Sequence, residues 1–212
     1  MTAPGSPPAG SGGRFPGFDV LAQARHWDAV TAGVVLSRMG KPPDIQFFTP
    51  AEEAVATVLC DLLLGQDREP RVPVLEFIDA RLAGRETDGW RYEDLPEDGQ
   101  AWRNSLRYLD DDAQAKFGRP FARCPADDQR ALIRVVQDTA SGDWHGMVAA
   151  HIWSLWTRYA CTAFYAHPQA WSEIGFPGPA YPRGYKNPRV NAREPFEVAD
   201  AEPSDDPVRS AS

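Results

Sequence analysis

The side chains that could do chemistry are few and scattered. Glu52 and Glu53 adjoin in "FFTPAEE", Asp110, Asp111 and Asp112 form a run, and Asp79 lies between them. Paired carboxylates can act as general acid and base. Here a local reading competes. Thr49, Pro50 and Glu52 spell a capping box, and Glu53 falls where a helix dipole favours an acid. Calcium loops alternate their ligands. The three aspartates do not alternate and read as a solvated helix face. A stand-alone enzyme would have to draw on acids such as Glu52, Asp79 and Asp110.

The histidines are His26, His145, His151 and His167. None belongs to an HxxxH, HExxH or Glu-x-x-His pattern, so no metal site is expected. On one helix His145 and His151 would project about 120° apart. His151, beside Trp153 and Leu155, reads as a hydrogen-bonded helix residue, and His167 before Pro168 reads as a turn. Cys60, Cys124 and Cys161 make no CxxC or CxxCH, which argues against a zinc ribbon and attached haem. Cys60 and Cys161 sit in apolar helical patterns, as small buried hydrophobes do, and no disulfide framework is indicated. GxSxG is absent, as are a nominated Cys–His pair, GxGxxG after a strand and GxxxxGK[ST]. The sequence therefore offers no catalytic residue and no FAD, NAD or ATP site of its own.

Elements must position whatever these residues do. The chain has 212 residues, 42% hydrophobic, with seven tryptophans, which is enough for one packed core with long arms. Its net charge of −8 argues against nucleic acid. Six acids and one arginine fall between Glu194 and Ser212. No apolar run approaches the roughly 20 residues of a membrane span. "MTAPGSPPAGSGG" has neither charge nor apolar core and reads as no secretory or twin-arginine leader. The expectation is a cytoplasmic protein, with export or membrane association through a partner left open.

Helical spacing is strong in four places. "FFTPAEEAVATVLCDLLLG" buries a stripe of Ala54, Val55, Val58, Leu59, Leu62 and Leu63 and closes at Gly65. "VPVLEFIDARLAG" is a shorter helix. Trp102, Leu106, Leu109, Ala113 and Phe117 mark a helix from about Asp98 to Phe117. A last helix from near Trp144 to Tyr165 is apolar over most of its circumference. "CPADDQRALIRVVQD" repeats the start grammar, with Cys124 at the cap and Pro125 at the first helical position. "RFPGFDVLAQARHWDAVTAGVVLSRMG" reads as only partly helical. No stretch alternates like a strand. The fold class expected is all-α, a bundle of four to five helices with extended irregular arms at both ends. Residues 1–13 read as a disordered arm, 14–44 as a partly helical extension, 45–167 as the helical domain, 168–197 as a ribbon and 198–212 as a disordered acidic tail.

The ribbon's centre, "WSEIGFPGPAYPRGY", carries three prolines and three glycines and reads as neither helix nor strand. It also carries Trp171, Ile174, Phe176, Pro177, Tyr181 and Tyr185. A chain rich in aromatic surface and poor in catalytic residues points to protein binding. Packing of the ribbon on the chain's own last helix is the competing reading.

Five stretches in order carry a resemblance: "FFTPAEEAVATVLCDLLLGQD", "PVLEFIDARLAG", "FGRPFARCPADDQRALIRVV", "FYAHPQAW" and "IGFPGPAYPRGY". Over roughly residues 45–197 the chain resembles the gluconate 2-dehydrogenase subunit 3 family. The resemblance implies a non-catalytic small subunit. Its partner would be a large subunit of the glucose-methanol-choline oxidoreductase type, which holds FAD and oxidises sugars, sugar acids or related alcohols. A cytochrome subunit often takes the electrons onward. In that setting Trp171, Ile174, Phe176, Pro177, Tyr181 and Tyr185 would lie against the large subunit. The family's exporting leader is missing here, and Cys124 replaces the usual serine-like cap. An all-α scaffold or regulatory module for an unrelated partner is the alternative, with a stand-alone enzyme behind it.

Overall fold

Caps, prolines and closing glycines divide the described chain into seven α-helices. They are α1 (Ala29–Ser37), α2 (Pro50–Leu64), α3 (Val74–Ala83), α4 (Asp98–Phe117), α5 (Ala126–Thr139), α6 (Ala149–Tyr165) and α7 (Pro168–Glu173). The computed structural model describes residues 14–205 except 188 and 191. The arm expected at 1–13 and the last seven residues of the acidic tail lie outside the described residues. The fold is all-α, as expected, apart from one two-stranded hairpin. It comprises two compact units, one of Pro42–Phe164 and one of the described residues before 42 and after 164.

In the first unit α4 is the central helix. Its buried residues Ala101, Trp102, Ser105, Leu106, Leu109 and Ala113 repeat every three or four positions, which keeps them on one face. The α2 capping box is complete: the Thr49 hydroxyl accepts from the Glu52 amide, and the Glu52 carboxylate accepts from the Thr49 amide at 2.8 Å. Gly65 ends α2 in the left-handed conformation at φ 65°, which glycine adopts without penalty. α6 meets α4 through large rings: Trp102 lies edge-on to Tyr159 at 5.9 Å. Each such side chain, fully buried, contributes on the order of 3 kcal/mol. Tyr159 Oη donates to Asp98 Oδ2 at 2.7 Å and the neighbouring Trp156 Nε1 to Ser105 Oγ at 2.9 Å, whereas the buried Trp102 Nε1 has no hydrogen-bond partner among the described residues.

Three boundaries differ from the sequence reading. α6 begins at Ala149, because Asp143–Trp144 pairs with Met147–Val148 in a hairpin. Its two-residue turn, His145-Gly146, has positive φ at both positions, 53° and 80°, as a tight hairpin turn requires. α5 begins at Ala126, which puts Pro125 at the cap position and Cys124 one residue earlier. The Cys124 thiol points to the Pro120 carbonyl at 3.5 Å rather than capping α5. Finally, Trp171 to Glu173 lie in α7, so the ribbon starts inside a helical turn.

The second unit joins the two ends of the chain. Val20, Trp27, Val35 and Trp171 form its apolar cluster. Val20 belongs to a 3₁₀ turn (Val20–His26) capped by Asp19, and Val35 to α1, capped by Asp28. Arg38 Nη1 donates to the Ala166 carbonyl at 2.6 Å, and the His167 ring bonds the Arg38 carbonyl at 3.0 Å. Within 198–205, expected without structure, residues 203 and 204 form a turn, and Asp200 accepts from Arg14 Nε at 2.8 Å.

Candidate partner-binding surface

The ribbon has two sides with different fates. Trp171 is 7% exposed and donates from Nε1 to the Tyr165 carbonyl at 2.6 Å. Phe176 stands edge-on to it at 5.3 Å, and the Arg38 guanidinium lies over its ring at 6.0 Å. Pro177 is buried too. The backbone beside them is pressed close. A Cβ on Gly178 (φ +77°) would come within 2.4 Å of the Trp27 ring, and one on Gly175 (φ +68°) within 2.6 Å of Phe15. Only glycine tolerates both the conformation and the contact. The ribbon's inward side is thus covered by the chain's own N-terminal segment.

Outward stand Ile174, Phe176 at 37% exposure, Tyr181 at 66% and Tyr185 at 58%. They are held from behind. Arg183 donates to Gln23 Oε1 at 2.9 Å and to the Pro177 and Pro179 carbonyls at 3.4 Å, with its guanidinium 3.8 Å over the Phe196 ring. The buried Glu194 carboxylate accepts from the Asn187 amide at 2.5 Å and from the Lys186 amide, closing the segment after Tyr185. Of the six ribbon residues singled out from sequence, four face outward and Trp171 and Pro177 face inward. Sequence reading missed Trp27, Phe15 and Arg183 as supports. The signal available was the pair of glycines on either side of Phe176 and Pro177, whose contacts are 160 residues (Gly175 to Phe15) and 151 residues (Gly178 to Trp27) away in the chain.

The acids that might have served catalysis are engaged in the fold. Glu52 takes both its cap and Arg103, at 3.0 and 2.9 Å. Asp79 is fully buried and accepts from the amides of Gln46, Phe47 and Phe48 at 2.6 to 2.9 Å. Asp110 accepts from the Phe121 amide at 2.8 Å. Asp112 accepts from Trp144 Nε1 at 3.0 Å and contacts His145 Nε2 at 2.9 Å. The aspartate run is therefore not merely a solvated face, since two of its members fix neighbouring segments.

His145 sits in the hairpin turn, not on a helix, and stacks on Tyr108 at 4.4 Å. His151 Nδ1 meets Asp94 Oδ1 at 2.6 Å and stacks on Tyr92 at 3.7 Å. Burial alone would raise the Asp94 carboxyl, but hydrogen bonds from His151 and the Val148 amide outweigh it and hold the group below its usual range. Among the described residues neither ring is hydrogen-bonded to a hydroxyl or thiol nucleophile, which a catalytic triad needs. Burial pushes the thiols of Cys60, Cys124 and Cys161 upward, away from the reactive thiolate. Cys60 is buried, but Cys161, expected inside, is exposed. Among the described residues no group of three or more His, Cys, Asp and Glu could hold a metal ion, and no helix is long and apolar enough to cross a membrane.

An open cleft of about 980 Å³ lies in the Pro42–Phe164 unit, with Phe47, Leu82, Trp90, Arg103 and Tyr159 among its walls. Two of its charged groups are engaged, Arg103 with Glu52 at 2.9 Å and Asp98 with Tyr159 Oη at 2.7 Å, while Arg85, Glu86, Arg91 and Glu97 also line it.

Geometry and chemistry together define an all-α protein whose acids serve its own architecture and whose aromatic ribbon is propped outward. The family model of gluconate 2-dehydrogenase subunit 3 matches residues 50–178, more than half of the chain. The chain belongs to the gluconate 2-dehydrogenase subunit 3 family, and so to the subunits of a multi-subunit dehydrogenase. Neither the curated proteins nor the solved structures hold a significant match to it.

Proposed function

We propose that this chain is a non-catalytic accessory subunit that binds and stabilises an FAD-dependent dehydrogenase of the glucose-methanol-choline type. The flavin belongs to the large subunit, which oxidises a sugar, sugar acid or related alcohol, and a cytochrome accepts the electrons. One observation carries the reading. In a family of dehydrogenase subunits, Ile174, Phe176, Tyr181 and Tyr185 are propped outward by Arg183 and by glycines packed on Trp27 and Phe15. Aromatic side chains anchor interfaces because they bury large area at little rotamer cost. The ribbon's prolines and internal packing lower the entropy lost on docking.

The test is co-expression of the tagged chain with the flavoprotein subunit. Phe176→Ser together with Tyr185→Ser should abolish co-purification while leaving the chain folded. Unchanged recovery of the flavoprotein rejects these rings as anchors. Sugar-dependent reduction of a dye by the purified chain without any flavoprotein would instead favour a stand-alone enzyme.

A further inference from the structure

We infer that the loop 186–194 is a cationic docking element, and that the partner surface receiving the ribbon is acidic where this loop meets it. The inference deepens the accessory-subunit reading above and rests on it. Charge is unevenly spread over the chain. The Pro42–Phe164 unit holds 13 Lys and Arg against 21 Asp and Glu, whereas the described residues of the α1–ribbon unit hold eight against eight. Within the α1–ribbon unit the cations are gathered. From Ile174 to Arg193 the sequence has Arg183, Lys186, Arg189 and Arg193 and no acid.

The fold closes this loop at its base. There Glu194, 5% exposed, uses one carboxylate oxygen to accept from the amides of Lys186 and Asn187 and the other to accept from Asn187 Nδ2 at 3.2 Å. The Glu194 amide donates in turn to Glu197 Oε2 at 2.7 Å, and the Ala192 amide to the Arg189 carbonyl at 3.1 Å. The acid next to the cations is thus turned inward and spent on amides, while Lys186, Arg189 and Arg193 are exposed. Val190, between the two arginines, is 94% exposed, so the tip stands clear. Among the described residues none of these three cations has an ion-pair partner, in contrast to Arg14, which pairs with Asp200. The loop follows Tyr185 directly, and Phe196 just past it lies 6.0 Å from the Tyr185 ring and 3.8 Å from the Arg183 guanidinium. Loop and rings are therefore presented together. The loop lies beyond the matched stretch 50–178, so the family match does not account for it.

Charge decides what the loop fits. Like charges held close together repel, and carboxylates brought among them relieve the repulsion. Arginine adds a planar fork that matches a carboxylate in two hydrogen bonds. Protein interfaces place aromatic anchors at the centre and charge at the rim, and rim charges steer the encounter and fix its register. The ribbon has this arrangement, with Phe176, Tyr181 and Tyr185 followed by the three cations. Recruitment to an anionic bilayer draws on clusters of about four to eight basic residues. Here Arg183 is held by Gln23 and two proline carbonyls, which leaves Lys186, Arg189 and Arg193. The loop's continuity with the rings places it against the same protein they engage, at an acidic patch.

The experiment measures binding of the full chain to the flavoprotein subunit by surface plasmon resonance at low and at high salt. It compares the native sequence, the triple variant Lys186→Glu, Arg189→Glu and Arg193→Glu, and Phe176→Ser with Tyr185→Ser. Circular dichroism checks that each chain is folded, and glutamine at the same three positions replaces glutamate should the charge reversal unfold it. The expected result at low salt is binding weaker by about tenfold or more in the charge-reversed chain, with the loss chiefly in the association rate. At high salt the gap to the native chain should narrow. Low-salt binding within about twofold of native overturns the inference, while the ring variant still decides the functional reading. No binding by the native chain overturns both. Sedimentation of the native complex with phosphatidylserine vesicles, lost on charge reversal while the flavoprotein stays bound, assigns the loop to lipid and overturns the inference. A native chain that is dimeric by light scattering at low salt, and monomeric once the loop is reversed, assigns it to the acidic unit of a second copy and also overturns it.

Discussion

Asp79 shows how a side chain that could have been catalytic is spent on architecture. Its carboxylate gathers three amides of the segment leading into α2. Hydrogen bonds to a buried charge are worth roughly 1.5–3 kcal/mol each, and orphaned amides cost more. Asp79→Ala is expected to lower stability by about 4 kcal/mol in urea titration, and Asp79→Asn by less, since one carbonyl oxygen remains. His167 makes a pH-dependent contribution. Burial lowers its pKa below the ordinary 6.5, and the charge of Arg38 acts in the same direction against the hydrogen bond to the Arg38 carbonyl. Its Nδ1 accepts from the Gln169 amide at 3.3 Å, so protonation removes the α7 cap. A base with a lowered folded pKa takes up more protons when unfolded. Its stabilising effect is complete above pH 6.5 and is lost as pH falls through and below that value. The midpoint of thermal unfolding should therefore drop between pH 7.5 and 5.5, and His167→Asn, which caps without titrating, should flatten that drop. Local grammar of this kind was readable only where partners are near in sequence. Thr49 and Glu52 are three apart and were legible, whereas Asp79 and its amides are 31 to 33 apart, a distance that spacing rules do not reach.

Elements were legible in proportion to their periodicity. α4 emerged with its observed ends because apolar positions recur over five turns, and α2 because its cap and its closing glycine are both local signals. The hairpin before α6 was hidden: four paired residues are too few to alternate, and Trp144, Met147 and Val148 extend the apolar run of the helix. The ribbon's inward side was equally hidden, since its partners come from the opposite end of the chain. Gly178 is the sharpest probe of that packing. Alanine there must take φ +77° and meet the Trp27 ring at 2.4 Å. Gly178→Ala should destabilise the α1–ribbon unit by about 2–3 kcal/mol, seen as faster proteolysis within residues 14–41. Unchanged proteolysis would mean that the extension does not hold the ribbon.

The whole molecule separates its duties. One unit carries the net charge and the large helical core, and the other is neutral and carries nearly all the exposed apolar side chains. The sequence offered the ribbon as a partner surface; the exposed apolar side chains of α1 are visible only once its neighbours are in place. The account's central claim is that this chain binds the redox subunit and does no redox chemistry itself. Size-exclusion chromatography of the chain co-expressed with the flavoprotein subunit, followed at 280 nm and at flavin absorbance near 450 nm, tests it most directly. The expected result is a single complex containing both chains and flavin, from which the isolated chain separates colourless under denaturant-free high dilution. A chain that elutes apart from the flavoprotein, or that retains flavin when alone, would contradict the account.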